Sequence, residues 1–336
     1  YSRFLAYDKI AKMPIRDMQY AWFASWFKRK LKEGWPDKKR GGFKPFTTKQ
    51  AKNMRSLLTV LFQYAVDHGY ADENLSTKMG RFQYKKYCTD IYKSDSEQVY
   101  QDDEPTKIME LAFKKYYETG NFAYLAVILN FLLDLRVGEL VALKFSDLDD
   151  KPGAIHIQRQ EIPKLQYNSK KGRRERSGYT EVEHTKTWQD RFVVLSDSAE
   201  RLISIIRKEQ ERLGIETEYI FVNKRKVRMH ENSINKVLRE VLNPALGTSQ
   251  KSCHNIRKTV TSSLREELGV SVAARVAGHK NESTTDNHYS FSTSSIDKYS
   301  ADYANIVDKK VPECLKIKDF SERFQAVPKI NQKKNA

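Results

Sequence analysis

The stretch FAYLAVILNFLL, residues 122–133, sets the first constraint on how this chain folds. It is the longest apolar run in the chain, broken only by Asn130, and Asp134 follows at once. A membrane-crossing helix needs about 20 apolar residues, so the run is too short and too polar to span a bilayer. A segment apolar on every side belongs inside a globular core, as a buried helix. Other elements must therefore surround it. At 336 residues the chain is longer than one core usually takes, and two domains are expected.

Hydrophobic residues at 39% suffice to build such cores, which sets the chain apart from disordered proteins. Its formal net charge of +17 repels itself unless a polyanion neutralises it. Nucleic acid is the first candidate; an anionic membrane is the weaker one. Cys88, Cys253 and Cys314 are odd in number and far apart, which points to a reducing cytosol and away from a disulfide framework. No pair has zinc-like spacing, and there is no phosphate-cradling G-x-x-x-x-G-K-[ST] loop. No signal peptide is evident. The chain opens at Tyr1 without an initiator Met, so a preceding segment is expected.

The first hundred residues read as helical. Residues 14–34 carry Pro14 early and Gly34 at the end, the expected asymmetry of a helix. Their aromatics, Tyr20, Trp22, Phe23, Trp26 and Phe27, recur at three- and four-residue spacing. Residues 47–70 form a second helix that Thr47 or Thr48 can cap, with Met54, Leu57, Leu58, Leu61, Phe62 and Ala65 on its buried side. Residues 1–98 hold 20 Lys and Arg against 10 Asp and Glu, so the basic excess is denser in this half. Residues 80–100 lack a clear period and read as an interdomain linker. A helix then starts near Pro105.

Strands are expected in the middle of the chain, at 154–162, 179–187 and 191–195. The last two are separated by Trp188, Gln189 and Asp190, a tight hairpin connection. Residues 163–178 between the first two read as a basic, turn-rich insertion. From residue 198 onward the pattern is helical again, and Ile296, Tyr299, Tyr303 and Ile306 extend it into the C-terminal tail.

Several residues carry possible chemistry. Arg136 follows the apolar helix; its planar guanidinium suits a phosphate, or it pairs with Glu139 or Asp134. Lys186, at the end of a strand, can protonate a leaving oxygen if its pKa is lowered, or it is a solvated lysine near a turn. His254 and Arg257 lie three apart, on one helix face, and can address one phosphate. Tyr289, ten residues after His279, can attack phosphorus as a nucleophile if a base or positive charge activates it. Taken singly, each also has an ordinary structural explanation.

The order Arg136, Lys186, His254-x-x-Arg257, Gly278-His279, Tyr289 resembles that of the tyrosine recombinases, the phage integrase family. LRVGELVALKFSDLD resembles the family's first-arginine motif. HTKTWQDRFVVL resembles its lysine hairpin, and HNIRKTVTSSL and AGHKNESTTDNHYS resemble the two boxes that end its active site. The likeness covers roughly residues 100–290 well, and the chain is similar to integrases of conjugative transposons. Two departures stand out. Asp134 occupies a position where family members often have Gly, and the insertion at 163–178 is longer than in compact members, adding Lys170, Lys171, Arg173, Arg174 and Arg176 as a DNA- or subunit-contacting extension.

The resemblance implies a mainly α fold with a small antiparallel β-sheet. It implies a helical core-binding, DNA-clamping domain over residues 1–93 and a linker over 94–101. An α+β tyrosine-recombinase catalytic domain over 102–293 and a tail over 294–336, docked on a neighbouring subunit, complete it. The implied catalytic set is Arg136, Lys186, His254, Arg257, His279 and Tyr289, with Glu139 holding local geometry and no metal or other cofactor. The implied activity is site-specific cutting and rejoining of double-stranded DNA through a 3′-phosphotyrosine and a Holliday junction, inserting and excising a mobile element. Relaxation of the type IB topoisomerase kind, or resolution or inversion within the same family, is the alternative. The implied partners are DNA recombination sites, further copies of the chain (a dimer per site and a tetramer in synapsis) and DNA-bending accessory proteins, in the bacterial cytoplasm and not at a membrane.

Overall fold

Two compact units make up the chain, the first over residues 1–93 and the second from Ser94 onward. The computed structural model describes residue 5 and residues 8–289, apart from 38–40, 91, 170–172 and 280.

In the first unit, α1 (Tyr20–Glu33) buries Phe23, Trp26, Phe27 and Leu31, one stripe at helical spacing. It starts later than the sequence suggests: Pro14 precedes a separate 3-10 turn, Ile15–Asp17. A two-residue ladder, β1 (Trp35–Pro36) with β2 (Phe43–Lys44), leads to α2 (Thr48–Asp67). Thr47 caps α2 reciprocally. Its hydroxyl accepts from the Gln50 N–H at 3.2 Å, and the Gln50 side chain accepts from the Thr47 N–H at 3.0 Å. α2 buries Ala51, Met54, Leu58, Phe62 and Ala65. Leu61, expected on that side, is exposed, and Leu57 is only partly covered. Phe62 meets Phe23 edge-on with ring centroids 5.1 Å apart, joining the two helices. α3 (Leu75–Lys78) closes the unit.

The expected linker is mostly packed. Phe82, Tyr84 and Tyr87 fold back on the first core. Residues 94–101, expected to be free linker, belong to the second unit: α4 (Asp95–Gln98) opens it, and Val99 and Tyr100 are wholly buried. The Tyr100 N–H donates to Thr259 Oγ1 at 2.8 Å and its hydroxyl donates to Asn243 at 2.8 Å. A tyrosine with both polar groups satisfied in a core is a structural anchor.

The second unit is built round the apolar run. α5 (Glu104–Thr119) leads to α6 (Ala123–Leu133), in which every residue but Leu132 is buried. α6 packs on α5, on α8 (Asp197–Arg212), on α9 (Glu231–Val237) and on α11 (Cys253–Leu268). The short α7 (Val137–Leu140) follows α6. α9 runs through a π turn into α10 (Asn243–Ala245), and α12 (Val270–Ala277) and α13 (Glu282–His288) complete the described helices.

The strands pair differently from the expectation. β3 (Ala154–Ile157) pairs antiparallel with β6 (Arg191–Val194), and β4 (Gln160–Asn168) with β5 (Arg173–Val182). One hairpin is thus nested inside the other, and no ladder joins β5 to β6. The single strand expected over 154–162 breaks at Gln158 and Arg159, where the Arg159 guanidinium turns inward to fork Asp147 at 2.6 and 2.8 Å. The strand expected over 179–187 ends at Val182. Residues 163–178, expected as a turn-rich insertion, instead carry β4 and β5 outward as a ribbon with a bulge at Lys164 and Leu165.

Candidate active site

Arg136 owes its position to an unusual residue before it. α6 ends at Asp134, which adopts a left-handed backbone (φ 53°, ψ 41°), a conformation natural to glycine and tolerated by aspartate. The turn leaves Arg136 as the first cap of α7. The Glu139 carboxylate accepts from the Arg136 backbone N–H at 3.1 Å and from its Nη1 at 2.8 Å. Gly138 lets α7 lie against β4, since a Cβ there would stand 2.6 Å from the Glu161 carbonyl oxygen.

Arg257, on α11, is 2% exposed. It donates to the carbonyls of Asp134 and Ala277, and its Nη2 lies 3.3 Å from His279 Nε2. Arg136 donates to the next carbonyl, Gly278 O, at 3.1 Å. Both guanidinium groups are therefore hung from consecutive carbonyls at the C-terminal end of α12. An arginine cannot accept a hydrogen bond, so His279 Nε2 must present its lone pair, and Nδ1–H donates to the wholly buried Thr285 hydroxyl at 2.7 Å.

Tyr289 follows α13 and is buried. Its backbone carbonyl accepts from Ser262 Oγ at 2.7 Å, and its phenol is near enough to Arg257 to raise the pKa of that guanidinium. The His279 ring lies 4.7 Å from the tyrosine ring, and the His254 ring stands edge-on to it at 6.4 Å. Burial lowers the His254 pKa, and the charges of Lys258, Arg257 and Lys186 lower it further, so this imidazole is neutral at pH 7. Lys186 is exposed and sits in a turn closed by Trp188 N–H to Thr185 O at 3.1 Å, not at a strand end. The wholly buried Thr185 fastens that turn by exchanging two hydrogen bonds with the Gln189 backbone, at 2.8 and 3.2 Å.

Three further residues shape the site, and sequence reasoning did not single out their roles. Arg191, first in β6, donates to both oxygens of Glu139 (3.2 and 2.8 Å) and to Val276 O at 3.1 Å. Thr261 donates to the Asp134 carboxylate at 2.9 Å. Asp134 itself is fully buried. Burial raises its pKa to about 6 against the pull of Arg257, Thr261 and Arg191, with Glu139 adding to the rise. Burial also opposes the charge of Glu139, but the Arg191 fork, then Arg136 and Arg257, outweigh it and bring that carboxyl to about 2. Burial and the neighbouring Arg257 lower the Arg136 pKa, whereas Asp134, Glu139 and Tyr289 outweigh burial and raise that of Arg257.

The site thus gathers Arg136, Arg257, His254, His279 and Tyr289, with Lys186 near enough to depress His254. Its open donors suit a tetrahedral oxyanion. Among the described residues, no cluster of three or more His, Cys, Asp or Glu side chains is placed to hold a metal ion. None of the described helices is long and apolar enough to cross a membrane.

The chain resembles known proteins in sequence and in fold. The family model described as the phage integrase family matches residues 99–295. A curated relative from Caldanaerobacter subterraneus, a XerC-like tyrosine recombinase, is 28% identical over 258 residues. That match covers 72% of this chain and 62% of the relative, so the chain spans less than two thirds of the relative's length. Among solved structures, the Tn1549 transposon integrase in complex with a circular intermediate DNA superposes with a TM-score of 0.62 at 16% identity, covering 89% of each chain. A lambda integrase dimer bound to a COC′ core site superposes at 0.52 with 17% identity, covering 82% of this chain and 81% of that one. At these identities the likeness is one of fold.

Proposed function

Because the chain belongs to the phage integrase family, we propose that it is a tyrosine-type site-specific recombinase, which cuts and rejoins double-stranded DNA to insert and excise a mobile element. The observation that carries this reading is the buried Tyr289 ring 4.7 Å from the ring of His279, whose Nε2 lies 3.3 Å from Arg257, with Arg257 and Arg136 tied to adjoining carbonyls of one helix end. A nucleophile and two cations for one phosphate stand together.

In this reading a scissile phosphate enters beside Tyr289. Arg136 and Arg257 hold its two non-bridging oxygens with the N–H groups they have beyond those given to carbonyls. The Tyr289 oxygen forms a bond to phosphorus as the bond to the 5′-oxygen breaks, leaving a 3′-phosphotyrosine. The positive charges of Arg257 and Arg136 favour the tyrosinate, and His279, whose ring lies 4.7 Å from the tyrosine ring, helps position or deprotonate it. Lys186 protonates the departing 5′-oxygen, and neutral His254 hydrogen-bonds the phosphate. The 5′-hydroxyl of a partner strand then attacks the phosphotyrosine. Each step exchanges one ester for another, so no external energy source is needed. Two such rounds, through a Holliday junction, complete the exchange.

Residues 1–93 clamp DNA with their denser positive charge, and residues 102–293 carry the chemistry. A dimer acts at each site and a tetramer in synapsis, with DNA-bending proteins as accessories and the bacterial cytoplasm as the setting. The tail, 294–336, lies outside the described residues; in this reading it docks on a neighbouring subunit.

A suicide substrate nicked beside the cleavage point tests the proposal. Wild-type protein should form a phenol-stable adduct with DNA, and Tyr289→Phe should form none. Adduct persisting in that variant would move the nucleophile elsewhere.

A further inference from the structure

Arg191 lies outside the six residues assigned to the chemistry, yet it touches three of the parts that position them. Its guanidinium forks both oxygens of Glu139, the carboxylate that also holds Arg136. Its Nε donates to Val276 O, next to the two carbonyls that hold Arg257 and Arg136. It sits directly beneath Gly278. A Cβ at that position would stand 2.9 Å from Arg191 Cδ and 3.0 Å from Cζ, and Gly278 has φ +62°. The glycine both turns the chain and leaves room for the guanidinium. Arg191 is also first in the strand that follows the Lys186 turn.

The charges explain why a third arginine is needed. Glu139 is wholly buried and bonded to Arg136 at 2.8 Å. With Arg136 as its main partner, its negative charge would cancel the positive charge that a phosphate must find there. An arginine whose charge is spent on a buried carboxylate is a poor anion receptor. Arg191 occupies both carboxylate oxygens from the opposite side, at 2.8 and 3.2 Å. The buried cluster then holds three arginines, 136, 191 and 257, against two acids, Glu139 and Asp134. One positive charge remains for the phosphate; without Arg191 none would.

We infer that Arg191 is a positioning residue: it neutralises Glu139, so that Glu139 can orient Arg136 without cancelling its charge toward the scissile phosphate. This rests on the recombinase reading of the site.

The test is a double-mutant cycle on the full chain, read by single-turnover adduct formation on a suicide substrate. Adduct from the wild type establishes the reading itself; its absence would remove that reading before Arg191 is tested. Arg191→Met should slow adduct formation by about 100-fold, the scale of losing one charge-stabilising donor. Its affinity for intact DNA, measured in the Tyr289→Phe background, should stay within about twofold, because phosphate contacts outside the site dominate binding. In a Glu139→Gln background the same Arg191→Met change should cost less than about fivefold, since no carboxylate charge is left to balance. Arg191→Lys, which keeps the charge and loses the fork, should fall between wild type and Arg191→Met. Equal losses in both backgrounds would overturn the inference and leave a packing role, as would an unchanged rate in Arg191→Met. Should Arg191→Met fail to fold, the Glu139→Gln/Arg191→Met pair against Glu139→Gln, together with Arg191→Lys, decides by the same criteria.

Discussion

Asp134 and Glu139 are five positions apart, share arginine neighbours and titrate in opposite directions. Burial raises Asp134 to about 6, and its Oδ1 is buried without a hydrogen-bond partner among the described residues. A carboxyl raised on folding favours the folded state fully below its unfolded value, 3.8, and loses that contribution as pH rises through 6. Glu139, lowered from 4.5 to about 2, does the reverse: its contribution is present above 4.5 and lost as pH falls through 2. Asp134→Asn isolates the first effect, since asparagine accepts the left-handed backbone and can still accept from Thr261. One pKa unit corresponds to about 1.4 kcal/mol, so a rise from 3.8 to about 6 should make the variant more stable than wild type at pH 8 by on the order of 3 kcal/mol. The gain should shrink toward zero below pH ~4, where wild-type Asp134 is neutral in both states. Urea unfolding at pH 4, 6 and 8 measures this, and an equal difference at all three pH values would contradict it.

Element by element, what was legible in the sequence was what is local. The 122–133 helix, the Thr47 cap of α2 and the order of the six site residues need only neighbours along the chain. The strands did not read correctly because their partners lie far apart in sequence. β3 finds β6 across an intervening hairpin, and the β4–β5 ribbon exposes both Leu165 and Tyr167 among charged residues, so alternation marks no buried face. Arg191 was hidden for the same reason, since only the β3–β6 pairing brings it to Glu139. Residues 94–101 looked like linker because the fastenings of this stretch and of the helix start after it are polar and distant. Asn255 and Lys258 donate to Gln98, Tyr100 binds Thr259 and Asn243, and the buried Lys251 meets Glu104 at 2.8 Å. All these bonds grip α11 or the approach to it, the helix of His254 and Arg257. Thr259→Val removes the acceptor of the buried Tyr100 N–H at nearly constant volume. An unsatisfied buried donor costs ~1–3 kcal/mol, and the unfolding free energy should drop by that amount. Adduct formation at low temperature, per folded molecule, should be nearly unchanged, because Thr259 touches no reacting group; a large rate loss with little destabilisation would argue that this clasp tunes the site itself.

For the whole molecule, the +17 charge has to be reconciled with two stable units. Much of the second unit's charge is internally balanced: Arg136, Arg159, Arg191, Arg228 and Lys251 each pair with a buried or partly buried carboxylate. The first unit leaves more of its cations at the surface. There Lys28, Arg81 and Lys86 line a cleft of about 240 Å³ together with Tyr20 and Tyr87, and Arg81 and Lys86 are exposed. Cations beside aromatic faces are what a nucleic-acid backbone and its sugars require. If binding is dominated by such contacts, affinity must fall steeply with salt. A protein neutralising about six phosphates loses roughly a thousandfold between 50 and 200 mM salt. On the full chain, Arg81→Gln and Lys86→Gln should each flatten the log-affinity against log-salt slope by about one. Adduct formation at saturating DNA should hold steady, since neither residue belongs to the site of Tyr289. A slope unchanged in both variants would show that this cleft carries no phosphate, and that the basic excess of the first unit serves some other contact.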